Sequence, residues 1–199
     1  MIDPKRIIGI VIAGGQATRM GGGDKTLLTL GGVPILATLL DKLAKQTASA
    51  AINSNSDAAN FAAFNVPVFS DSGSAFAGPL AGILASMRWA RDNHPEATHI
   101  ATVAGDSPFF PDDLVPRLVE QAPDGNTIMM AASDGHNHPV FGLWPIDLQD
   151  ALQTWLDETG ILKVMAWVRT QPHVMVDFTT AKTPDPFFNI NTPEDLAHG

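Results

Sequence analysis

Ile7-Ile8-Gly9-Ile10-Val11-Ile12 carries no polar side chain and runs directly into Ala13-Gly14-Gly15-Gln16-Ala17-Thr18-Arg19-Met20-Gly21-Gly22-Gly23-Asp24-Lys25. A short apolar run bounded by glycine reads as a strand buried in a sheet. The glycine-rich stretch after it reads as a loop, because glycines let backbone approach a ligand and aim successive N–H groups at it. Outward from this pair, strand-like runs alternate with helical patterns. After a turn at Gly31-Gly32, Pro34 opens a helix with Ile35, Leu36, Leu39, Leu40 and Leu43 on one side. Short strands are expected at 50–53 and 66–69, with Asp57 capping a small helix that ends near Phe64. Gly78-Pro79-Leu80-Ala81-Gly82 begins a helix that His94-Pro95 stops near Asn93, and 100–103 reads as a central strand. Such alternation predicts an α/β sheet with helices on both faces.

The second half is less regular. A helix is expected from Pro111-Asp112-Asp113. Strands at 127–132 and 139–143 flank a polar turn over 133–138. Helices near 148–158 and 162–169 come next, then a strand at 174–178 and a helix start at Thr192-Pro193-Glu194. No linker divides the 199 residues, so one domain is expected. Its nucleotide-binding part would cover about 1–110 and its acceptor-binding part about 111–199.

Composition narrows the function classes. The net charge of −9 offers no basic footprint, so no nucleic-acid partner is expected. With no cysteine, disulfides, thiolate metal sites and cysteine nucleophiles are excluded. The 7–12 run is too short to span a membrane and lacks the form of a signal peptide; the expectation is a cytoplasmic protein without a membrane partner.

The loop from Ala13 to Lys25 holds five glycines and two cations. Arg19 offers a planar fork for phosphate oxygens and Lys25 a point charge, so the loop reads as a phosphate cradle. Its bland alternative is a glycine-rich surface loop. A Walker A loop would need glycine directly before Lys25-Thr26, where Asp24 stands. The dinucleotide fingerprint fails because Gly14 is followed two residues on by Gln16.

From Ala13-Gly14-Gly15 through Arg19-Met20-Gly21 to Asp24-Lys25 the loop resembles the signature of the nucleotidyltransferases that act on sugar phosphates and cofactors. Within that group the chain looks most like the molybdenum cofactor guanylyltransferases. The resemblance runs over nearly the whole chain and is clearest in the first half. It implies a three-layer α/β/α sandwich, Rossmann-like, with a mostly parallel sheet. It implies nucleotide contacts from Ile12, Ala13, Gly14 and Gly15, with Lys25 on the phosphates. Asn53 and Asp71 match positions on the guanosine, and Gly78, Pro79, Leu80 and Gly82 match a motif lining the nucleotide pocket.

The resemblance also implies a metal-binding aspartate after the next strand, here Asp106 in Ala104-Gly105-Asp106-Ser107-Pro108. The chemistry agrees: Mg²⁺, for which Mn²⁺ can substitute, prefers one or two carboxylates and takes its other ligands from water and phosphate. Ligands of open α/β sheets bind at the carboxyl ends of the strands. A turn aspartate before proline is the structural alternative. Arg19, Lys25 and Asp106 are thus the expected catalytic residues. Asn189-Ile190-Asn191 matches the family's end segment; at strand spacing its two asparagines would present their amides on one face, with a phosphate or second-metal role open beside plain capping by Thr192.

The activity implied is transfer of GMP from GTP to the terminal phosphate of molybdopterin or molybdenum cofactor, with release of pyrophosphate. A sister family transfers CMP and carries alanine where this chain has Gly14, so Gly14-Gly15 favours GTP. Transient contact with cofactor-insertion proteins or recipient molybdoenzymes is also implied.

Other residues are open. His136 and His138 form a lone His-x-His with no third ligand evident and read as part of a polar turn. By resemblance, His138-Pro139 is an acceptor-side step. Trp144, Trp155 and Trp167 read as core more readily than as a pterin platform. Lys163, Arg169 and Lys182 read equally as cations for the acceptor or as solvated charges.

Overall fold

Alternation along Ile7–Ile12 decides which helix covers which face of the sheet. In the computed structural model, which describes residues 2–13, 25–71, 78–181, 185–192 and 195, this run is strand β1, buried along its whole length. Ile7, Val11 and Ala13 face one layer, made by helices α1 (Ile35–Ala44) and α3 (Leu114–Glu120). Ile8, Ile10 and Ile12 face the opposite layer, made by α2 (Pro79–Asn93), α4 (Gln149–Thr159) and α5 (Val164–Val168). Successive side chains of a strand point to opposite faces, so one apolar run serves two cores. Each fully buried isoleucine contributes about 1.5–3 kcal/mol. Gly9 is fixed by packing: a Cβ there would lie 2.9 Å from Thr47 Oγ1 and 3.2 Å from Leu43 Cβ, where the end of α1 crosses β1.

Beyond β1 come the small hairpin strands β2 (Thr29–Leu30) and β3 (Val33–Pro34), joined through Gly31 and Gly32, both at positive φ. The main sheet adds β4 (Ser49–Asn53), β5 (Val68–Phe69), β6 (His99–Ala104), β7 (Ile128–Ser133), β8 (His136–Pro145) and β9 (His173–Asp177). Its seven strands run in the order β5-β4-β1-β6-β8-β7-β9. Every pairing is parallel except those of β8 with β6 and β7. This is the mostly parallel three-layer sandwich expected.

The topology gathers one edge. From β1 the chain proceeds through α1 to β4 and β5 on one side, then returns through α2 to β6 on the other. The crevice between β1 and β6 is therefore the switch point, where open sheets bind ligands at the carboxyl ends of strands. Because β8 is antiparallel, its beginning, not its end, lies at that edge.

Three expectations change. The polar turn is not six residues long: Asp134 (φ 46°) and Gly135 (φ 76°) make a two-residue hairpin, so His136 and His138 belong to β8. A two-residue loop with both φ positive matches the right-handed strand twist and selects Asp-Gly. Helix α3 starts at Leu114 with Asp113 at its N-cap, and Asp112 lies before it in an ion pair with Lys42 at 3.1 Å. Segment 187–191 is irregular, so Asn189 and Asn191 are not on a strand face.

Candidate functional site

The ends of β1, β4 and β6 are hydrogen-bonded to one another where the edge opens. Ala13 N–H donates to Asn53 O at 2.8 Å, and Gly105 N–H donates to Ile12 O at 3.0 Å. Close approach requires Gly105: a Cβ would meet Thr26 Cγ2 at 2.6 Å and both Ala13 Cα and Ile12 O at 3.2 Å. Thr26 belongs to a short 3-10 turn at Lys25–Leu27, so that turn is packed against Gly105 through the Thr26 side chain. Gly14, Gly15 and Arg19 lie outside the described residues, as do the side chain of Lys25 and all of Lys182.

Asn53 closes β4 with its side chain inside the protein, 3% exposed. Its Nδ2 is buried without a hydrogen-bond partner among the described residues. Such a donor costs about 1–3 kcal/mol unless something completes it. Gly82, in the first turn of α2, packs on this amide so closely that a Cβ would lie 2.7 Å from Asn53 Oδ1. Leu80 is buried beneath, whereas Gly78 and Pro79 are exposed at the helix start. Asp71, two residues past β5, is half-buried, and its N–H donates to Asn55 Oδ1 at 3.2 Å, which also accepts from Ser70 Oγ at 2.5 Å. Asn55, an anchor for this loop, went unread in the sequence because nothing local distinguishes it from other loop asparagines.

Asp106 follows β6, half-buried at the switch point. A single carboxylate on a strand end is a donor set for a hard cation that takes most ligands from water and substrate phosphate, so the residue fits Mg²⁺ or Mn²⁺. Among the described residues no group of three or more His, Cys, Asp or Glu comes together as a metal cage. His136 and His138 accordingly have no third ligand there.

Ser107, fully buried, links Asp106 to the far end of the chain. Its hydroxyl lies 2.5 Å from Asn189 Oδ1 and 3.4 Å from Asp106 Oδ1, and Ile190 N–H donates to Asp106 O at 2.8 Å. With Oδ1 engaged, the Asn189 amide presents its two N–H donors away from Ser107. Asn191 Nδ2 donates back to Asn189 O at 3.4 Å. Thr192 accepts from Asp195 N–H at 3.3 Å, and Asp195 Oδ2 accepts from Asn191 and Thr192 N–H at 2.8 Å each, a reciprocal cap. Ser107 also went unread, because its partner lies 82 residues away.

His138, half-buried at the edge-side start of β8, stacks on Phe187 at 4.3 Å and contacts Ser133 Oγ at 2.6 Å through Nε2. Burial holds its pKa below the ordinary histidine value, although Asp185 opposes this. Trp144 and Trp167 are 0% exposed and stack on each other within the core, which fits core packing and not a ring platform. Half-buried Trp155 donates to Ile161 O at 3.2 Å. Lys163 and Arg169 are exposed, and Arg169 precedes β9 at the edge opposite Asp106. Among the described residues no helix is long and apolar enough to cross a membrane.

Along the edge the order is therefore Asp71, Asn53, Ile12-Ala13 and Asp106, then His138. Three strand spacings of about 4.8 Å put β5 roughly 14 Å from β6. The comparisons with known proteins agree with this fold. Residues 9–174 match the family model described as MobA-like NTP transferase domain. The chain is 44% identical over 194 residues to the molybdenum cofactor guanylyltransferase of Mesorhizobium japonicum, covering 96% of this chain and 93% of that one. Its fold is similar to that of molybdopterin-guanine dinucleotide biosynthesis protein A from Archaeoglobus fulgidus, with TM-score 0.74, 22% identity and coverage of 96% and 95%. It is also similar to a Mycobacterium tuberculosis protein solved in complex with manganese, with TM-score 0.67, 19% identity and coverage of 97% and 96%. The chain belongs to the MobA-like nucleotidyltransferases, in the family of the molybdenum cofactor guanylyltransferases.

Proposed function

We propose that this chain transfers GMP from GTP to the terminal phosphate of molybdopterin or its molybdenum-loaded form and releases pyrophosphate, in the cytoplasm. The observation that carries the reading is the convergence at the switch point. The buried Asn53 amide, whose Nδ2 has no hydrogen-bond partner among the described residues, and the Asp106 carboxylate flank the joined ends of β1 and β6. The guanosine would lie toward Asn53, Gly82 and Asp71, and the phosphates toward the loop that begins at Ala13. The acceptor would approach from the side of His138, Asn189 and Asn191.

An acceptor phosphomonoester, with a second pKa near ~6, is largely dianionic at neutral pH and needs no general base. One of its oxygens forms a bond to the α-phosphorus of GTP as the bond from that phosphorus to the pyrophosphate oxygen breaks. The obstacle is repulsion between two anions. Asp106 would hold Mg²⁺, with Mn²⁺ able to substitute, and the bound cation offsets that charge. Arg19 and Lys25 would add fixed positive charge, and the loop N–H groups would orient the triphosphate for in-line attack. Product would pass to insertion proteins or recipient molybdoenzymes through transient contacts.

The test is pyrophosphate release from GTP, CTP or ATP by the purified chain with molybdopterin and Mg²⁺. Release is expected with GTP, and preference for CTP would overturn the base assignment. Asp106→Ala and Arg19→Ala should each lower turnover about 10²-fold or more with the fold intact. Wild-type transfer by either folded variant refutes the role given to that residue.

A further inference from the structure

We infer that Ser133 is a positioning residue for the acceptor half of the site, acting through His138 and Asp185 on the segment that carries Asn189. Ser133 ends β7 and is 1% exposed. Its Oγ lies 2.6 Å from His138 Nε2 and 2.6 Å from Asp185 Oδ2. A hydroxyl has one hydrogen, and an ionised carboxylate can only accept. Ser133 therefore donates to Asp185, and the short contact to His138 requires a proton on Nε2. The order of donation is His138 Nε2–H to Ser133, then Ser133 O–H to Asp185. This fixes the neutral ring of His138 as the Nε2–H tautomer, with Nδ1 bare.

Beyond Asp185 the path continues. Asp185 Oδ1 accepts from Phe187 N–H at 2.8 Å, and Asp185 O accepts from Phe188 N–H at 2.9 Å, which curls the chain into a tight turn. Phe187 stacks on the His138 ring whose Nε2 started the path, so the circuit closes on itself. Two residues on, Asn189 meets Ser107 and Ile190 meets Asp106 O. Segment 185–190 is thus held at one end by Ser133 and at the other by the Asp106 turn. It has no strand partner among the described residues; the buried side chains of Phe187 and Ile190 anchor it to the core, and these polar contacts fix its two ends. Ser133 sets where the Asn189 amide stands relative to Asp106 without touching either.

The kinetic consequence rests on the acceptor assignment made above; the structural consequence does not. In Ser133→Ala, the amides of Phe187 and Ile190 should exchange with solvent at least tenfold faster, while those of β1 and α2 keep their protection. The KM for molybdopterin should rise about tenfold, and the Kd for GTP should stay within twofold. Asp185→Asn covers the case in which Ser133→Ala fails to fold. An amide nitrogen facing Ser133 would donate to it, reverse the order, and move the His138 proton to Nδ1, which ¹⁵N spectra of the full chain resolve. Unchanged exchange at Phe187 and Ile190 in folded Ser133→Ala, or an Nδ1–H tautomer in the wild-type protein, overturns the proposal. Faster exchange with an unmoved molybdopterin KM overturns the positioning role. A wild-type protein that transfers no GMP to molybdopterin, yet shows the tautomer and exchange pattern, indicts the functional reading instead.

Discussion

Asn53 and Gly82 show how one missing Cβ lets a helix start press against a buried amide. The Asn53 amide is buried with an unsatisfied Nδ2 among the described residues, and Gly82 lies against its oxygen. In Gly82→Ala the new Cβ would sit 2.7 Å from Oδ1, so the amide must turn or shift. The side chain can yield, so the fold should lose only the ~1–3 kcal/mol of ordinary overpacking. GTP affinity should fall about tenfold, equal to about 1.4 kcal/mol. Calorimetric titration with GTP checks this, and unaltered affinity would remove Asn53 from nucleotide recognition. His99 illustrates a residue whose burial favours the neutral form. Its Nε2 meets Gly125 O at 3.0 Å and its Nδ1 meets Thr98 Oγ1 at 2.9 Å, so a neutral Nε2–H ring satisfies both. Desolvation, the dominant influence, lowers its pKa, and the carbonyl of Gly125 opposes this. The unfolded chain therefore takes up the proton first as pH falls, and stability decreases below about pH 6.5. His138 is shifted in the same direction, so its slope has the same sign. His99→Gln should have a flatter melting-temperature profile between about pH 7.5 and pH 5, and an equally steep profile would show that His99 does not drive the slope.

Elements were legible where their signals were local. The β1 run, the Gly31-Gly32 turn, the one-sided leucines of α1 and the Gly78-Pro79 start of α2 all stand where periodicity and capping chemistry put them. Asp57 caps its 3-10 turn, accepting from Ala59 N–H at 2.9 Å, as the sequence suggested. The β7–β8 hairpin carries an Asp-Gly signal, but the residues after it hide its second strand. Polar His136, Asn137 and His138, with Pro139 next, mask a strand. The proline is tolerated because the pairing register of β8 with β7 shifts between Met130 and Ala132, a bulge that demands no ladder bond at that point. What sequence could not supply were contacts between distant residues. Ser107 with Asn189 and Ser133 with Asp185 are separated by 82 and 52 positions, and neither serine differs locally from a capping or turn serine. The Asp106 strand end was legible because a sheet edge is implied by topology; the partners that hold that edge together were not.

At the scale of the whole molecule, the candidate site spans elements on both sides of the joined strands β1 and β6. On the proposed function the nucleotide side would draw on β5, β4, β1 and the start of α2, and the acceptor side on β6, β8 and segment 185–190. A ligand lying across the switch point bridges both sides and binds only the folded chain. Stabilisation is then RT ln(1 + [L]/Kd), about 2.7 kcal/mol at a hundredfold excess over Kd. In a domain of this size each kcal/mol moves the melting temperature by about 2–4 °C, so GTP with Mg²⁺ should raise it by roughly 5–11 °C. The rise should shrink on chelation, because the triphosphate would then face Asp106 without the cation that offsets its charge. CTP at equal concentration should give a smaller rise, since the Asn53–Gly82 surface would be left partly unfilled by a pyrimidine. A chelator-insensitive rise would locate GTP away from Asp106, and equal rises with GTP and CTP would mean that base recognition does not involve Asn53 at all.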